Sequence, residues 1–274
     1  MPFASYEYEG HSRVGRVEGG DLVPLDGPSE LGLDTPVDIL HSLAAAGPAV
    51  PVGDVHLRPV VPRPDKVICV GLNYKAHVGE TGRDMPEYPV LFTKFASSLI
   101  GAYDPIVVPA ESTQVDYEGE LAVIIGRAGR RISKDDAAAH VLGYAVANDV
   151  TMRDYQYKTH QWLQGKAWDG STPIGPYLHT PDEVDVRAVG LRTVLNGTTL
   201  QESDTALLIF DIPTLISTIS EFTTLLPGDV ILTGTPGGVG FRRDPQVFLK
   251  AGDEVRVEID GLGEVRNRVV AETR

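Results

Sequence analysis

Short runs of β-branched and other apolar residues, separated by turn residues, are the feature of this sequence that most limits its fold. The runs after residue 62 are KVICVG, PVLFTKF, PIVVP, ELAVIIG, LGYAVAND, LRTVLNG, DVILTG, DEVRVEI and EVRNRVV. Enrichment of this kind is typical of β-strands. Because helical patterns do not alternate regularly with these runs, a doubly wound sheet or a (β/α)₈ barrel fits poorly, and we expect a β-rich α+β fold.

The N-terminal part of the chain predicts a small β-rich domain of its own. FASYEYE, SRVGRVE and DLVPL read as three strands of a meander, and a helix is expected over Val37–Ala45. A proline-rich passage then leads into KVICVG. We therefore place a boundary near Pro62, which divides the chain into a small N-terminal β domain, residues 1–62, and a catalytic domain, residues 63–274.

Two helix starts can be read in the second half of the chain. Ser133 and Asp136 have the spacing of a capping box, which opens a short helix. Asp211, with Pro213 in the first turn, opens a longer helix. The apolar residues expected on one face of that longer helix are Leu215, Ile216, Ile219 and Phe222.

Composition excludes several classes of partner. The chain has 24 Lys and Arg against 38 Asp and Glu, a formal net charge of −14, which is the wrong sign for nucleic acid or an anionic membrane surface. The N-terminus lacks the basic start and apolar run of a secretion signal, and no clean run of about 20 apolar residues follows. With a single cysteine, Cys69, neither an intrachain disulfide nor a thiolate zinc cluster can form. We expect a cytoplasmic protein.

Three carboxylates predict a site for a hard divalent ion. Glu118 and Glu120, in DYEGELAVIIG, are two apart and so share one face of a strand, where like charges need a compensating cation. A solvated strand face or an arginine-paired carboxylate is the alternative for an isolated pair. Asp149 ends the apolar strand Val141–Ala147, although alone it would suit a turn. Together the three favour Mg²⁺ or Mn²⁺, and the lack of a Cys or His cluster disfavours zinc.

A histidine and a glutamate in NYKAHVGE predict an acid–base pair. His77 and Glu80 are three apart, so on a helical turn the carboxylate can orient the imidazole and raise its basicity, which makes a water-activating dyad. A surface helix can also acquire this spacing by chance. Gly79 and Gly82, followed by Arg83, indicate a turn that can close over a ligand.

Polar and cationic residues further along are candidates for substrate binding. Gln156 and Lys166 offer an amide and an ammonium that can stabilise an oxyanion or a substrate carboxylate, although Lys166 read alone is an exposed loop lysine. Because the acidic chain repels anions at long range, local cations are needed for entry. Arg83, Arg153 and Lys166 are the candidates, with pairing to Asp154 as the equally good alternative for Arg153.

The glycine-rich segment TGTPGGVG, residues 233–240, predicts an anion-accepting loop. It lacks the Gly-Lys-Ser/Thr ending of a P-loop and opens no evident helix, so nucleotide binding is a poor interpretation. Backbone N–H groups and the Thr235 hydroxyl are the expected donors.

Five motifs together resemble the fumarylacetoacetate hydrolase superfamily, from about Lys66 to the C-terminus. In chain order they are NYKAHVGE, DYEGELAVIIG, ANDVTMRDYQ, GKAWDGSTPIGP and LTGTPGGVG. The N-terminal meander is similar to the small domain of many bacterial members. The resemblance implies a mixed β-sheet, β-roll catalytic fold and a homodimer. The chain departs from fumarylacetoacetase proper, whose N-terminal domain is larger and whose metal site has a further carboxylate.

The same resemblance implies roles for individual residues. It implies that Mg²⁺ or Mn²⁺ is held by Glu118, Glu120 and Asp149. It implies a dyad, His77 and Glu80, on a flexible lid. Positions that contact substrate oxygens in the family are matched here by Gln156, Lys166 and Thr235, with Arg83 as a further candidate for substrate binding.

The expected substrate is a small 2-oxo acid, whose carboxylate and adjacent oxygen can chelate a metal. If carbon 4 carries a carbonyl, His77 assisted by Glu80 can activate water to attack it, and cleavage of the carbon–carbon bond releases pyruvate as an enolate. We therefore predict a hydrolase of 2,4-dioxo acids, of the acylpyruvate or fumarylpyruvate type, in aromatic-compound catabolism. The alternatives are oxaloacetate decarboxylase or 2-hydroxyhepta-2,4-diene-1,7-dioate isomerase/decarboxylase, which share this enolate, and a non-catalytic metabolite-binding protein of the same fold.

Overall fold

The fold is built mainly from β-strands, and the computed structural model describes it over residues 1–35, 39–82 and 84–273. The strands in the first half are β1 Phe3–Tyr8, β2 His11–Glu18, β3 Asp21–Pro24, β4 Val50–Pro51, β5 His56–Leu57, β6 Val67–Gly71, β7 Val90–Lys94, β8 Leu99–Ile100, β9 Ile106–Val108, β10 Val115–Asp116 and β11 Gly119–Ile125. Those in the second half are β12 Val141–Asn148, β13 Thr151–Met152, β14 Thr172–His179, β15 Gly190–Leu195, β16 Thr198–Asp204, β17 Val230–Leu232, β18 Glu254–Ile259 and β19 Gly263–Ala271. Each predicted run contains a strand, which confirms a β-rich α+β fold.

Helices are short and few among the described residues. The α-helices are α1 Lys75–Thr81, α2 Arg153–Gln156, α3 Leu163–Lys166 and α4 Ile212–Phe222. The 3₁₀ turns are Leu40–Ser42, Val52–Asp54, Ala96–Ser98, Ala137–His140, Thr205–Leu207 and Gly240–Arg242. In the ranges that the structure covers, no helix combines the length and apolar character needed to cross a membrane.

Helix α4 begins where the sequence predicts. The Asp211 carboxylate accepts a hydrogen bond from the Thr214 N–H at 2.9 Å, which satisfies one of the free donors of the first turn. The predicted apolar face is buried at Leu215, Ile216 and Ile219. The prediction is wrong for Phe222, which is 58% exposed because it is the last residue of the helix, beyond the surface that covers the other three.

The two other predicted helices are shorter than expected. Ser133 accepts a hydrogen bond from the Asp136 N–H at 3.2 Å, as in a capping box, but the turn that follows is 3₁₀, over Ala137–His140. The prediction over Val37–Ala45 begins outside the described residues, and the described part of that segment contains the 3₁₀ turn Leu40–Ser42.

Within the described ranges, twelve strands form one mixed sheet, and its main path runs β4, β3, β2, β1, β14, β12, β11, β17, β6, β7. The N-terminal strands join this sheet through β1, where Phe3 pairs with Leu178 of β14. The segment 1–62 therefore contributes strands to the same sheet as the rest of the chain. Its folding as a separate domain stays a prediction.

Strand β14 lies in the middle of this sheet but was not predicted from the sequence. It contains Pro173 and Pro176, which lack a backbone donor and normally argue against a strand inside a sheet. The pairing of β14 with β12 shifts register between Tyr144 and Val146. Pro176 lies within this irregular stretch, whereas Pro173 lies outside it and pairs with Ile100 of the short strand β8.

Strand β11 lies in the core and is buried on both faces. Leu121, Val123 and Ile125 belong to one buried apolar cluster, whereas Ala122 and Ile124 belong to another on the opposite side. A strand covered on both faces reads as a continuous apolar run, as ELAVIIG does. A second sheet, of order β16, β15, β18, β19, β9, packs beside β11. The site described next sits at the N-terminal end of β11, between these layers.

Candidate active site

Two neighbouring antiparallel strands bring the three predicted carboxylates together. Gly119 of β11 pairs with Asn148 of β12, and the Asp149 N–H donates to the Glu118 carbonyl oxygen at 2.8 Å. Glu118, Glu120 and Asp149 each offer one oxygen, and these oxygens lie within 4.8 Å of one another. All three side chains are buried. The spacing argument from the sequence therefore leads to a compact, all-oxygen donor set.

Buried cations compensate two of the three carboxylates. Lys166 contacts Glu118 and lies 2.8 Å from Asp149 Oδ2, while Lys94 Nζ lies 2.8 Å from Asp149 Oδ1. Arg153 Nη2 donates to Glu118 Oε1 at 2.6 Å. The arginine-paired alternative thus holds for Glu118. The exposed-loop interpretation of Lys166 is wrong, because its side chain is 2% exposed.

Glu120 is the carboxylate of the three that lacks a cationic partner among the described residues. Its Oε2 accepts a hydrogen bond from the Gly234 N–H at 2.7 Å, but among the described residues no cation is within salt-bridge distance of it. Burial, followed by the charges of Asp149 and Glu118, raises the pKa of Glu120 well above its usual range. For Glu118, burial also acts to raise the pKa, but Lys166 and Arg153 lower it to about 2.

The residues present therefore fit a divalent cation. Within the described chain the buried cluster has four carboxylates, those of the triad and Asp116, against three cations, Lys94, Arg153 and Lys166. The donors are hard carboxylate oxygens, which suit Mg²⁺ or Mn²⁺. The ion pairs at Glu118 and Asp149 leave one charge uncompensated, at Glu120.

The sequence did not predict Lys94 or Asp116 as parts of this site. Lys94 ends the apolar strand β7 and is 2% exposed. Its position at the end of an apolar run was the sequence feature that could have indicated a buried cation. Asp116 begins the motif that contains the glutamates, and its Oδ2 accepts from Arg153 Nε at 2.9 Å. Arg153 pairs with Asp116 and Glu118 and not with Asp154, whose carboxylate accepts instead from Ser112.

The predicted dyad lies on helix α1, beside the carboxylates. His77 Nδ1 is 3.6 Å from Glu80 Oε2 and has no hydrogen-bond partner among the described residues. Glu80 Oε1 accepts from the Gly238 N–H at 2.6 Å. Gly82, at φ +65°, ends the helix in the left-handed conformation that glycine adopts without strain. Arg83 lies outside the described residues.

The predicted substrate-binding residues Gln156 and Thr235 differ in how many hydrogen bonds they already make within the protein. Gln156 Oε1 accepts from Arg153 Nη1 at 2.9 Å, which leaves its amide N–H groups as donors toward the cavity. The Thr235 hydroxyl donates to the Gly119 carbonyl at 3.0 Å and accepts from Gln201 Nε2 at 2.8 Å. The hydroxyl proton and one lone pair of Thr235 are used within the protein, and its role in substrate binding stays a prediction.

The glycine-rich loop does accept anions, but these are carboxylates of the chain itself. Its N–H groups bond Glu120, from Gly234, and Glu80, from Gly238. The Asp116 carboxylate accepts from the N–H groups of Gly240 and of Phe241, which directly follows the loop, at 2.8 and 3.0 Å. The loop therefore joins the metal-site strand, helix α1 and the buried cluster.

A small cavity lies where these parts meet. Its volume is about 40 Å³, and its lining includes His77, Glu118, Glu120, Gln156 and Lys166. A water needs roughly 10–15 Å³ of space measured in this way, so the cavity has room for about three waters. The predicted site residues converge on this cavity.

Residues 66–270 match the fumarylacetoacetate (FAA) hydrolase C-terminal family. With the β-rich fold and the ordered motifs described above, this match shows that the chain belongs to the fumarylacetoacetate hydrolase superfamily.

Particular relatives narrow the class of reaction. The chain is 48% identical over 233 residues to human oxaloacetate tautomerase FAHD2A, mitochondrial. The aligned region covers 84% of this chain and 74% of that protein. It is 37% identical to 5-carboxymethyl-2-hydroxymuconate delta-isomerase from Mycobacterium smegmatis, with a TM-score of 0.84 over 100% of both chains. It is also 37% identical to a fumarylacetoacetate hydrolase from Exiguobacterium antarcticum, with a TM-score of 0.88 over 99% of this chain and 100% of that one. The first two of these comparisons favour the oxaloacetate and isomerase alternatives over the predicted carbon–carbon hydrolase.

Proposed function

We propose that this chain is a metal-dependent enzyme that interconverts the enol and keto forms of oxaloacetate or a closely related 2-oxo dicarboxylate. The observation that carries the proposal is the 48% identity to the human oxaloacetate tautomerase. The site supports it, because tautomerisation needs a base near carbon 3 and stabilisation of charge on the adjacent oxygen. It needs neither a water nucleophile nor a leaving group, unlike the hydrolysis first predicted.

Glu118, Glu120 and Asp149 would hold the ion, Mg²⁺ or Mn²⁺. When bound, such an ion supplies Lewis-acid polarisation of the 2-oxo oxygen. The buried position of the three carboxylates, which limits competition from bulk water, makes their charge effective at short range.

His77 is the proposed base. Because Nδ1 faces Glu80, a proton on Nδ1 is favoured by that carboxylate, and Nε2 is left free to accept a proton. In the keto-to-enol direction the proton leaves carbon 3 for Nε2, and the electron pair of the broken C–H bond forms the carbon–carbon double bond. The enolate oxygen then takes a proton from water, and Nε2 releases its proton to water. The enol-to-keto direction reverses each transfer.

Lys166 and Gln156 are proposed to stabilise charge on the substrate oxygens. Burial lowers the pKa of Lys166, but the adjacent Asp149 and Glu118 carboxylates raise it above its ordinary value. Lys166 therefore stays an ammonium at neutral pH and acts as a fixed positive charge and not as a base. The free N–H groups of Gln156 add a neutral donor on the same cavity wall.

Substrate entry is proposed to involve helix α1. Helix α1 carries the dyad and is held to the glycine-rich loop through the Glu80 to Gly238 hydrogen bond. We propose that this helix moves to admit substrate and returns to place His77 over it, as in other enzymes with a closing segment.

Three assays on one preparation test the proposed function. Purified protein with Mg²⁺ is given enol-rich oxaloacetate while its ultraviolet absorbance is followed, and pyruvate release is measured separately from oxaloacetate and from an acylpyruvate. We expect fast ketonisation. His77→Ala should lower this rate by about 10²–10⁴-fold, whereas His11→Ala, at the exposed first residue of β2, should not lower it.

Cleavage of the acylpyruvate without acceleration of oxaloacetate ketonisation would contradict the proposal and restore the hydrolase. Release of pyruvate from oxaloacetate as the main reaction would favour the decarboxylase. The Mycobacterium smegmatis isomerase, similar over its whole length, makes isomerisation of a hydroxymuconate-type diacid the second candidate, because it moves a proton through a comparable enolate.

Several expectations remain proposals. The homodimer, the role in aromatic-compound catabolism and the two-domain division follow from the resemblance and the sequence pattern. The cytoplasm was predicted from a composition that suits any reducing compartment, and the human relative carries the word mitochondrial in its name. The non-catalytic alternative predicts that a site residue is missing, and none is missing among those that the structure describes.

A further inference from the structure

One arginine on the cavity wall differs from the other cations there. Arg153 and Lys166 are buried and ion-paired with carboxylates. Arg242 is exposed, lines the same cavity, and has no carboxylate partner in the part of the chain that the structure describes. In a chain with 38 acidic and 24 basic side chains, this leaves the Arg242 guanidinium available to an anion from solution.

The backbone that carries Arg242 is fixed by a buried carboxylate. Asp116 is 0% exposed and accepts hydrogen bonds from the N–H groups of Gly240 and Phe241 at 2.8 and 3.0 Å. The Arg242 N–H closes the 3₁₀ turn on the Val239 carbonyl at 3.1 Å. A binding residue on a rigid element keeps its geometry between the free and bound states.

The side chain of Arg242 is also held from one side. Its guanidinium carbon lies 5.0 Å from the centre of the Phe241 ring, a cation–π distance. The ring of Phe241 lines the cavity as well. Stacking on the ring limits the number of side-chain conformations and leaves the N–H donors of the guanidinium unused.

The adjacent arginine has a different use. Arg243 Nη1 donates to the Leu200 carbonyl at 3.0 Å and, more weakly, to that of Gly238 at 3.4 Å. Arg243 therefore holds backbone in place. Of these two neighbouring guanidinium groups, the one without a hydrogen-bond acceptor among the described residues is that of Arg242.

From this arrangement we propose that Arg242 binds the second carboxylate of a dicarboxylic 2-oxo acid, the one remote from the 2-oxo group. The inference rests on the proposed function, which places the 2-oxo acid end at the triad and Lys166. The planar fork of arginine pairs with a carboxylate through two parallel hydrogen bonds. In an acidic protein a second substrate carboxylate needs such a cation, so Arg242 would select dicarboxylates over monocarboxylates.

Kinetics of one variant against a matched control test this. Arg242→Gln removes the charge but keeps a polar side chain, and Arg268→Gln makes the same change at an exposed position on β19. For oxaloacetate we expect Arg242→Gln to raise KM by about 10–100-fold with little change in kcat, and Arg268→Gln to change neither. An unchanged KM in Arg242→Gln overturns the proposal.

A binding arm separates this inference from the proposed function. Oxaloacetate and 2-oxobutyrate have the same four-carbon chain and differ at carbon 4, a carboxylate in one and a methyl group in the other. With Mg²⁺ present, the wild-type unfolding temperature should rise more with oxaloacetate, and Arg242→Gln should lose this preference.

That result supports the role of Arg242 even if no tautomerase activity is found, in which case the proposed function alone falls. The proposed role of Arg242 is overturned if the wild-type protein does not distinguish the two acids, or if the Arg242→Gln variant keeps the preference.

Discussion

Two nearby glutamates, Glu118 just before β11 and Glu120 within it, are expected to respond in opposite ways to the same substitution. Glu118→Gln and Glu120→Gln each replace a buried carboxylate by an amide of nearly the same shape. Glu118 is paired with Arg153 and Lys166, whereas Glu120 has only the Gly234 N–H, which a glutamine carbonyl can still accept. Without metal, the first change should destabilise the fold and the second should stabilise it.

The magnitudes follow from the charges that each change leaves behind. Breaking a buried ion pair costs about 3–5 kcal/mol, and the lower end applies to Glu118→Gln because Lys166 keeps Asp149. For Glu120, the raised pKa costs the folded state at most about 1.4 kcal/mol for each pH unit above its ordinary value. At pH 7 that limit is about 3 kcal/mol, and its removal stabilises Glu120→Gln.

The stability that Glu120→Gln is expected to gain depends on pH, and this dependence can be measured. The folded pKa of Glu120 is raised, so the carboxyl of the unfolded chain ionises first as pH rises, and the penalty grows from pH 4.5 upward. Below pH 4.5 both states are protonated and the penalty is absent. The advantage of Glu120→Gln should therefore be large at pH 8 and nearly absent close to pH 4.5.

Thermal unfolding followed by circular dichroism, in EDTA, is the assay. At about 2 °C per kcal/mol for a chain of this size, Glu118→Gln should lower the unfolding temperature by about 6 °C, and Glu120→Gln should raise it by up to about 6 °C at pH 7. A lower unfolding temperature in Glu120→Gln, or a pH-independent gain, would refute the assignment of Glu120 as the uncompensated carboxylate.

Three further predictions concern the parts around the triad. Gly238→Ala should lower the free energy of unfolding by about 2 kcal/mol and remove most activity, because φ is +97° and an added Cβ would collide with the Leu200 carbonyl. The control Gly252→Ala, at φ +96° with open space around it, should lose stability but keep activity, as measured by urea unfolding and kcat. Lys94→Met should cost about 3 kcal/mol by leaving Asp149 with one cation, and a double-mutant cycle with Asp149→Asn should show coupling, whereas additive effects would contradict the pair. Removing Mg²⁺ with EDTA should lower the wild-type unfolding temperature and leave that of Glu120→Gln unchanged, and equal responses would argue against a bound ion.

Local sequence patterns were sufficient for most of the long strands, although not for β14, and for the convergence of the triad. The period of a strand places Glu118 and Glu120 on one face, and the antiparallel pairing of β11 with β12 brings Asp149 beside them. The three-residue spacing likewise predicts that His77 and Glu80 are neighbours on a helix, as they are in α1. These inferences succeed because they depend on residues close together in the chain.

Contacts between distant segments could not be predicted in this way. Lys94 reaches Asp149 from 55 residues away, and nothing near either residue specifies that pairing. Arg153 stands beside Asp154 in the sequence but pairs with Asp116, 37 residues away. Sequence patterns also did not separate the predicted hydrolysis from the alternatives that the relatives favour, because tautomerisation, decarboxylation and carbon–carbon cleavage pass through similar enolates and use the same residue types.

The most direct test of the central claim is the rate of oxaloacetate ketonisation as Mg²⁺ is titrated into metal-free protein. The account predicts a saturable acceleration in the wild type and none in Glu120→Gln, whose fold remains intact. Acceleration that is the same without metal, or that survives in Glu120→Gln, would contradict it.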